Sequence, residues 1–554
     1  MLHFLVFISG MTVLGSELAA SRLLAPYFGT SLFIWANLIG LILLYLTVGY
    51  WLGGRLADRY ARRESLYHVT AVAALFIGLI PVLARPILYV SSIGFASYSL
   101  GIFWGSLMGV IALFIVPMTL LGCVSPWAIR LSVQDVRGAG RTAGTLYALS
   151  TLGSIAGAYL PVLLLIPNLG TNRTFFLFSL VLLLTSVVGL LQERRAASPA
   201  SVADGVEVVQ PVTRRGGAAL GVYVVALVVI TVMAALPGGI IRAQPYGELL
   251  YENESAYNYI QVVKNGTRVD LVLNEGHAVH SIYDPNELLT QGPWDYFLMA
   301  PFFSPGVRER DVDSMLMLGS AAGTTPRMYT ELFGPIRIDG VEIDPKIIEV
   351  GRRYFAMTMP NFNAIAQDAR YFLRQTDQRY QVIGVDAYRQ PYIPFHLTTR
   401  EFFQEVKEHL DADGVVAINA GRTEDDYRLV NVLAGTMKDV YPNVFVINIP
   451  TAINSIIVGT NKPSTLAEFR ANLDTIQEPT LRRVAQIARS NTCEYVPAEQ
   501  GSAGRGQGAG ETCAFAQGLG RMVFTDDLAP VEQVIDQIIL GYISGTGDGG
   551  TGGR

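Results

Sequence analysis

Residues 314–326 read SMLMLGSAAGTTP, and residues 336–345 read IRIDGVEIDP. The first stretch predicts a short apolar strand that ends in Gly319, a turn of small residues, and a proline suited to the first position of a helix. The second predicts another strand, which ends in Glu342 roughly twenty residues after the turn. This order of strand, turn, helix and acid is typical of a nucleotide-binding sheet.

The same pattern continues downstream. Ala364–Ala366 is predicted as a third strand followed by Asp368, and Tyr380–Asp386 as a fourth strand that ends in an acid. A turn and a fifth strand are predicted from Leu410 to Asn419. Because the carboxyl ends of parallel strands meet at one crevice, we expect the acids after the second, third and fourth strands to converge there. Each acid taken singly could instead cap a helix.

The segments around this sheet are predicted from composition and alternation. Residues 245–310 indicate a small strand-rich subdomain, with Asn265-Gly266 as a hairpin turn and Tyr296–Phe303 as a helix. Three segments complete this half of the chain: a Rossmann-like domain over 311–480, a C-terminal extension over 481–545 with a glycine-rich stretch and a final helix, and a disordered tail over 546–554.

The first 236 residues are predicted to lie in a membrane rather than in water. Of 554 residues, 51% are hydrophobic and 16% charged, against about 25% charged in soluble domains. A membrane-spanning helix needs about 20 mostly apolar residues. Seven runs qualify: Phe4–Leu24, Leu32–Leu52, Tyr67–Leu83, Tyr98–Leu121, Leu146–Ile166, Phe175–Leu191 and Ala218–Leu236.

These runs predict six spanning helices over 1–192, a basic-flanked loop over 193–216, and a seventh helix over 217–236. The third run is short, and the apolar stretch after Pro86 is either interfacial or spanning. The first run could be a signal peptide, although it has no basic start. The fold class is therefore a multi-pass α-helical membrane domain plus an α/β Rossmann-like, methyltransferase-type doubly wound domain with a small N-terminal β subdomain.

Arginines predict the orientation, since cytoplasmic loops are rich in them. They concentrate in alternate loops: Arg55, Arg59, Arg62 and Arg63; then Arg130, Arg137 and Arg141; then Arg194, Arg195, Arg214 and Arg215. We expect a plasma (inner) membrane protein with its N-terminus inside. Seven spans then place the C-terminal domain on the outer, periplasmic face, and one miscounted helix would reverse this.

Cysteines bear on the same question. Cys493 and Cys513 flank the glycine-rich stretch 501–510, and their spacing fits either a disulfide, which needs an oxidising compartment, or two unrelated thiols. A zinc site is disfavoured because two cysteines stand there without a nearby histidine. No metal is predicted.

Two ionisable residues lie in the first apolar run. Glu17 and Arg22 are predicted as membrane-site residues, because charged groups within spans usually face a bundle interior or a cavity. The alternative is that Arg22 extends to the interface and pairs with Glu17. The small residues of Gly153–Gly157 predict close helix packing.

The quoted residues resemble the spermidine synthase family, and the whole chain resembles its membrane-fused members. The α/β half carries the match in Val341-Glu-Ile-Asp344, Gln367-Asp-Ala-Arg370, Val385-Asp-Ala-Tyr-Arg-Gln-Pro-Tyr-Ile-Pro394 and Thr399-Arg-Glu-Phe-Phe403. The first span adds Glu17-Leu-Ala-Ala-Ser-Arg-Leu-Leu-Ala-Pro-Tyr-Phe-Gly-Thr-Ser31, and Asp526-Asp-Leu-Ala-Pro530 is similar to the end of many fused relatives.

The resemblance implies a role for each strand-end residue. Glu342 would bind the ribose of an adenosyl sulfonium compound, either decarboxylated S-adenosylmethionine or S-adenosylmethionine, beside a loop that contains Gly319 and Gly323. Asp368 with Ala369 would read the adenine. Asp386 would be the general base that takes a proton from the attacking amine.

The chain departs from the family on the substrate side. Its loop Gly319–Thr325 has no acid, and Arg389 stands where the family has a second aspartate. Putrescine is therefore a doubtful substrate, because a cation would be repelled there. Further residues are placed near the family's substrate side or over the crevice: His280, Asp295, Tyr296, Tyr388, Tyr392 and Phe395.

Three functions follow as hypotheses. The first is an aminopropyl or other adenosyl-sulfonium-dependent transferase acting at the membrane on a small-molecule amine or another acceptor. The second is a non-catalytic binding or assembly protein with a degenerate synthase domain, and the weakest is a transporter. The expected partner is the lipid bilayer, with a homodimer or a membrane complex left open. A net charge of −5 argues against nucleic acid.

Overall fold

The structure is a computed structural model. It describes residues 1–28, 32–94, 101–133, 135–196, 215–236, 246–274, 278–388, 392–497, 512–513 and 522–544. The predicted glycine-rich stretch 501–510, the tail 546–554 and Arg389 lie outside these residues. The chain divides into a helical unit, Met1–Ala243 with Glu252–Tyr259, and an α/β unit, Gln244–Tyr251 with Ile260–Arg554.

The helical unit is built from long apolar helices and short connectors. The helices are α1 (Leu2–Phe28), α2 (Leu32–Arg59), α3 (Arg63–Gly94), α4 (Gly101–Gly122), α5 (Val124–Ser132), α6 (Ala139–Leu160), α7 (Ile166–Leu169), α8 (Thr171–Ala196) and α9 (Arg215–Ala235). A 3₁₀ turn, Val136–Gly138, precedes α6, and a π-helical turn, Pro161–Leu165, follows it.

Within the described residues, seven helical segments are long and apolar enough to cross a membrane. Each overlaps one of the seven predicted runs, and the beginning of the fourth run, residues 98–100, lies outside the described residues. The third prediction was too short, because α3 continues as one helix through Pro81 and Pro86 to Gly94. The apolar stretch after Pro86 is thus part of the same helix, since neither proline ends it.

Small residues set the contact between α1 and α6, as the Gly153–Gly157 pattern predicted. A Cβ built on Gly153 would lie 2.0 Å from the carbonyl oxygen of Phe7, and one on Gly157 would lie 2.2 Å from that of Met11. The contact also uses Gly10, whose Cβ would meet the carbonyl oxygen of Ser150 at 2.2 Å. Side chains at these positions would push the two backbones apart.

The α/β unit contains a nine-stranded mixed sheet in the order β13-β12-β10-β11-β9-β8-β5-β6-β7. Its strands are β5 (Ser314–Leu318), β6 (Arg337–Glu342), β7 (Phe362–Ala366), β8 (Tyr380–Val385), β9 (Leu410–Gly421), β10 (Asn443–Asn448), β11 (Asn454–Thr460), β12 (Thr492–Tyr495) and β13 (Thr512–Cys513). The five strands from β7 to β9 in this order are parallel, so their carboxyl ends share one edge.

Helices connect and cover this sheet. They are α10 (Pro293–Phe297), α11 (Thr324–Phe333), α12 (Pro345–Tyr354), α13 (Ala369–Leu373), α14 (Arg400–Glu408), α15 (Arg428–Lys438), α16 (Leu466–Leu473), α17 (Pro479–Asn491) and α18 (Val531–Ser544). Short 3₁₀ turns occur at Ala300–Phe303, Glu309–Asp311 and Phe395–Leu397. The doubly wound prediction is confirmed, since helices link the successive parallel strands.

Three local predictions were wrong in detail. The predicted helix Tyr296–Phe303 is split between the end of α10 and a 3₁₀ turn. The turn predicted at Leu410 lies within β9, whose pairing with β8 shifts register between Leu410 and Val415. Pro326 is the third residue of α11 rather than the first, because Gly323, with a left-handed φ of +87°, already ends the loop.

A second sheet has four strands in the order β1-β2-β3-β4: β1 (Glu248–Glu254), β2 (Tyr259–Asn265), β3 (Arg268–Leu273) and β4 (Val279–Tyr283). The first three were predicted, and Gly266 sits in the turn between β2 and β3 with φ +63°. The fourth was not, since His280 and Ser281 weaken its β signal.

A disulfide joins Cys493 of β12 to Cys513 of β13, with their Cα atoms 5.5 Å apart. The bond confirms the disulfide interpretation over two free thiols. It closes a loop across a sequence separation of 20 residues, a constraint worth about 3 kcal/mol of unfolding free energy. The remaining cysteine, Cys123, is buried in the helical unit.

Candidate active site

The carboxyl edge of the parallel strands brings the predicted loop and acids together. Leu318, the last residue of β5, pairs with Val341 of β6 on one side and with Val385 of β8 on the other. The residues after those strands therefore emerge side by side. Strand β7 pairs in turn with β6, through Ala366 opposite Glu342. This is the topological switch point at which open α/β sheets bind ligands.

The loop after β5 is shaped by backbone conformations that need glycine. Gly319 has φ +85°, and a Cβ there would lie 2.6 Å from the carbonyl oxygen of Asp386. Gly323 has φ +87°, and its Cβ would meet the side chain of Met357. Between them, Ala321 adopts φ +44° without being glycine. The loop is thus pressed against the strand end that carries Asp386, in a conformation that costs energy.

Asp386 is half-buried and held from two directions. The indole Nε1 of Trp294 donates to Oδ2 at 3.0 Å, and Nδ2 of Asn419 donates to Oδ1 at 2.9 Å. Burial raises the pKa of Asp386 to about 6, while the two hydrogen bonds lower it and so limit the rise. The carboxylate is therefore a base with its pKa near neutrality, in a fixed orientation.

Tyr388 braces the same corner. Its hydroxyl donates to the carbonyl oxygen of Asn419 at 3.0 Å and accepts from the amide of Gly421 at 3.1 Å. Burial raises the pKa of Tyr388, so it stays protonated. The side-chain oxygen of Asn419 in turn accepts from Nδ2 of Asn454 at 2.9 Å. These contacts orient the amide that faces Asp386.

Sequence reasoning missed Trp294 and Asn419. Asn419 stands near the carboxyl end of β9, so the rule that selected the acids after the other strands could have found it. Trp294 lies 92 residues before Asp386, in a helix one turn long. Nothing in its local sequence separates it from an ordinary core tryptophan.

Glu342 is buried and faces the glycine loop. Its Oε2 accepts from the amide of Ala321 at 3.1 Å, and its Oε1 from the amide of Asp344 at 3.0 Å. Burial raises the pKa of Glu342 to about 7, against the effect of these amides. The carboxylate thus holds the strained loop in place and keeps further acceptor capacity on each oxygen.

Asp368 caps α13, whose first residue, Ala369, is buried. Its Oδ1 accepts from the amide of Tyr371 at 3.0 Å, and its Oδ2 lies 3.3 Å from Nε2 of His396. The hydrogen bond from His396 lowers the pKa of Asp368. The capping alternative is therefore real for this acid, and it coexists with a second contact on the other oxygen.

The segment with these features matches a known domain. Residues 305–468 fit the family model of the spermine/spermidine synthase domain. They begin before β5 and end within α16, so they include every strand end that forms the crevice. Residues 305–468 form a spermine/spermidine synthase domain.

Two relatives of the chain are described as polyamine aminopropyltransferases, one of them as probable. The chain is 30% identical over 299 residues to a probable polyamine aminopropyl transferase of Bifidobacterium longum, a match that covers 52% of this chain and 64% of that relative. It is 28% identical over 211 residues to a polyamine aminopropyltransferase of Vibrio vulnificus, covering 36% and 68%. A probable spermidine synthase structure from Corynebacterium glutamicum is 18% identical with a TM-score of 0.35, covering 44% of this chain and 96% of that one.

On the predicted substrate side, β4 is tied to the loop of the synthase domain. Ser281 Oγ accepts from the amide of Ala322 at 3.0 Å, and the hydroxyl of Thr324 exchanges hydrogen bonds with the backbone of Ile282. His280, one residue earlier, is half-buried on this strand. The fold thus places His280 beside the residues that hold the glycine loop.

The other predicted substrate-side residues have structural partners. Asp295 is buried and accepts from the amides of Thr290 and Gln291 and from the Thr290 hydroxyl, while burial raises its pKa. The hydroxyl of Tyr392 donates to Asp536 of α18 at 2.6 Å. Asp295 therefore supports the turn that precedes Trp294, and Tyr392 joins the synthase domain to the C-terminal helix.

The two predicted membrane residues lie in α1 of the helical unit. Arg22 donates from Nη1 to the carbonyl oxygen of Tyr257 at 3.0 Å, and Glu17 is half-buried. Arg22 also lines a cleft of about 190 Å³, together with Arg85, Thr171 and Glu254. Glu254 accepts from the amide and the hydroxyl of Thr171, both at 2.8 Å. Arg22 thus contacts the segment that follows α9 in the chain.

Proposed function

We propose that the chain is a membrane-bound transferase that uses an adenosyl sulfonium donor, of the aminopropyl type, with an altered acceptor site. The observation that carries this proposal is the environment of Asp386, a half-buried carboxylate with a pKa of about 6 that Trp294 and Asn419 hold at the edge of the sheet. A general base works best when its pKa lies near the operating pH.

The donor side fits an adenosyl group by its donors and acceptors. Glu342 and Asp368 would hold the ribose and the adenine, respectively. The hydroxyls of Ser320 and Thr325, at the ends of the loop, are buried without a hydrogen-bond partner among the described residues. Buried polar atoms are normally paired, so these hydroxyls support a polar ligand at the loop. A bound sulfonium would supply an already activated leaving group.

The chain's own residues then have two tasks. The glycine loop and the acids would position the donor, and Asp386 would take the proton that the attacking amine must lose. With a pKa of about 6, most of the Asp386 population is ionised at pH 7.5. Trp294 and Asn419 would keep its oxygens aimed while the proton arrives.

The acceptor is proposed to be an amine whose remaining groups are neutral or acidic, rather than a polyamine. The loop Gly319–Thr325 has no carboxylate, and Arg389 replaces the family's second aspartate. Both changes remove attraction for a dication. The donor is proposed to be decarboxylated S-adenosylmethionine, with S-adenosylmethionine as the competing form.

The pH dependence of transfer tests the role of Asp386. In detergent, the full chain should transfer the aminopropyl group of decarboxylated S-adenosylmethionine to a member of an amine panel, with a rate that rises with pH through about 6. Asn419→Ala removes a donor to the carboxylate and should move the rising limb of the pH–rate profile to higher pH. The shift should be roughly one unit, because about 1.4 kcal/mol of hydrogen bonding corresponds to one unit.

Asn363→Ala is the matched control, since it also removes an asparagine amide from a strand of the same sheet, and that amide bonds to Asp339 rather than to Asp386. The limb should stay in place in that variant. A limb that moves equally in both variants, or in neither, would contradict the assignment of Asp386 as the base.

A second candidate is a non-catalytic binding or assembly protein, and the disulfide favours it. Cys493–Cys513 belongs in an oxidising compartment, where a cytosolic donor would be scarce. This agrees with the loop charges, which predict that the C-terminal domain lies on the outer face.

Thiol labelling separates the two candidates in a Cys123→Ser background. If the second candidate holds, a membrane-impermeant maleimide should label Cys493 and Cys513 on intact cells only after reduction. Labelling that needs cell lysis would instead place the domain in the cytoplasm. That result would favour the transferase over the non-catalytic binding protein. A no-cysteine variant, with Cys493 and Cys513 also replaced by serine, sets the background.

A further inference from the structure

The C-terminal segment 522–544, which lies beyond the matched domain, is anchored on the α/β unit near the donor side. Phe524 is fully buried, its amide donates to the hydroxyl of Thr436, and its carbonyl accepts from the amide of Arg400 at 2.8 Å. Helix α18 adds four buried apolar residues to the core: Val531, Val534, Ile535 and Ile538. The segment between these anchors therefore has a defined position.

That position places Asp526 against Arg370. Nη1 and Nη2 of Arg370 donate to the two carboxylate oxygens of Asp526 at 2.7 and 2.8 Å. The hydroxyl of Thr399 donates to the same carboxylate at 2.7 Å, and the amide of Asp526 donates to Glu401. A bidentate pair with a further donor is the strong form of a charge-assisted contact.

Arg370 needs this partner because its side chain is only 8% exposed. Its Nε and Nη2 also donate to Glu405 at 3.0 and 2.8 Å, but Glu405 is shared with Arg374. A buried guanidinium that loses one carboxylate is left partly uncompensated. Of the two carboxylates that pair with Arg370, Asp526 is thus the one that it does not share with Arg374.

Arg370 in turn connects to the adenine-side acid. It is the second residue of α13, directly after Ala369, and it donates to the carbonyl oxygen of His396 at 3.1 Å. The ring of His396 contacts Oδ2 of Asp368 at 3.3 Å. Asp368, His396 and Arg370 are therefore linked by successive contacts. Asp526, which lies outside the matched domain, binds the Arg370 end of this chain.

We propose that segment 522–544 completes the donor side of the crevice, with Asp526 as a positioning residue that acts through Arg370 on Asp368. This inference rests on the proposed function, because it assigns the donor side to Asp368. It makes donor binding depend on a part of the chain that begins more than fifty residues after the synthase domain ends.

Binding of 5′-methylthioadenosine to the full chain in detergent tests the proposal. Asp526→Asn should weaken its affinity by about tenfold, since coupling between sites is usually worth 5- to 150-fold. It should also raise the KM for the donor while leaving kcat within about twofold at saturation, a split that a general loss of folded protein would not produce. Asp527→Asn, at the exposed neighbour, should change neither quantity.

Hydrogen exchange on the unmutated chain gives a reading that needs no variant. Because coupling is reciprocal, the nucleoside should protect residues 522–530 as well as 367–375, and it should leave α16 unchanged. Protection of 367–375 alone, or an Asp526→Asn variant with unaltered affinity, would overturn the proposal.

The failure of the proposed function looks different. No nucleoside binding by the unmutated chain would reject the transferase assignment and the donor-side role of the segment together. In that case exchange of 367–375 should still rise in Asp526→Asn, which would show that the contact with Arg370 is only structural. Binding with no effect of Asp526→Asn would reject the further inference alone.

Discussion

Asp386→Asn is expected to lower the turnover number by about 10²- to 10⁴-fold, the usual contribution of a general base. The affinity for 5′-methylthioadenosine should change little, because the amide keeps the size of the carboxylate and the proposed donor-side acids, Glu342 and Asp368, are untouched. The measurement is a single-turnover rate at pH 8 beside a calorimetric binding constant. A variant that keeps more than a tenth of the rate would reject the assigned role.

This variant needs a control for local damage. Both partners of Asp386, the Trp294 indole and the Asn419 amide, are donors. An asparagine at 386 can accept from one of them but turns its own donor toward the other, which costs about 1–3 kcal/mol. Lost activity could then reflect a displaced corner of the site.

The exchange Asp386→Asn with Asn419→Asp removes that ambiguity. The new amide at 386 can accept from Trp294 and donate to the carboxylate at 419, and that carboxylate can still accept from Asn454. We expect the thermal stability to return toward the original value while turnover stays low. Recovery of turnover in the exchanged protein would show that the pair matters as a unit and that its carboxylate is not required at 386.

Gly153→Ala is expected to have the largest effect on the helical unit. The added Cβ would lie 2.0 Å from the carbonyl oxygen of Phe7 and 3.0 Å from the amide nitrogen of Met11. Because both atoms belong to the backbone, no side-chain rotation can relieve the clash, and α1 and α6 must move apart. We expect the free energy of unfolding to fall by about 1–3 kcal/mol, as for overpacked cores. The fall is measured as a lower unfolding temperature in detergent.

Gly144→Ala is the matched control in the same helix, because nothing lies within 4 Å of its Cβ position. Alanine there should be neutral or stabilising by roughly 0.5–1 kcal/mol, since it restricts the unfolded chain. The two substitutions should therefore have opposite signs. Equal effects would mean that helix propensity, and not the contact with α1, controls the stability.

Local patterns in the sequence were sufficient for much of this protein. Apolar runs of about 20 residues predicted seven membrane-length helices. Alternation and glycine turns predicted the central strands one after another along the chain, and acids at their ends predicted the crevice. The strand signal failed in β4, where His280 and Ser281 interrupt it, and at the beginning of β9, where Asp411 and Gly414 suggested a turn.

The partners of the site residues were decided only by the tertiary structure. Trp294 and Asn419 are 92 and 33 residues from Asp386, and Asp526 is 156 residues from Arg370. Periodicity records which face of an element is buried, because that depends on neighbours a few residues away. It carries no information about which distant side chain fills the space opposite. The sequence alone therefore determined the elements and the acidic edge, whereas packing of distant segments decided which groups hold Asp386 and Asp368 and set the pKa of each.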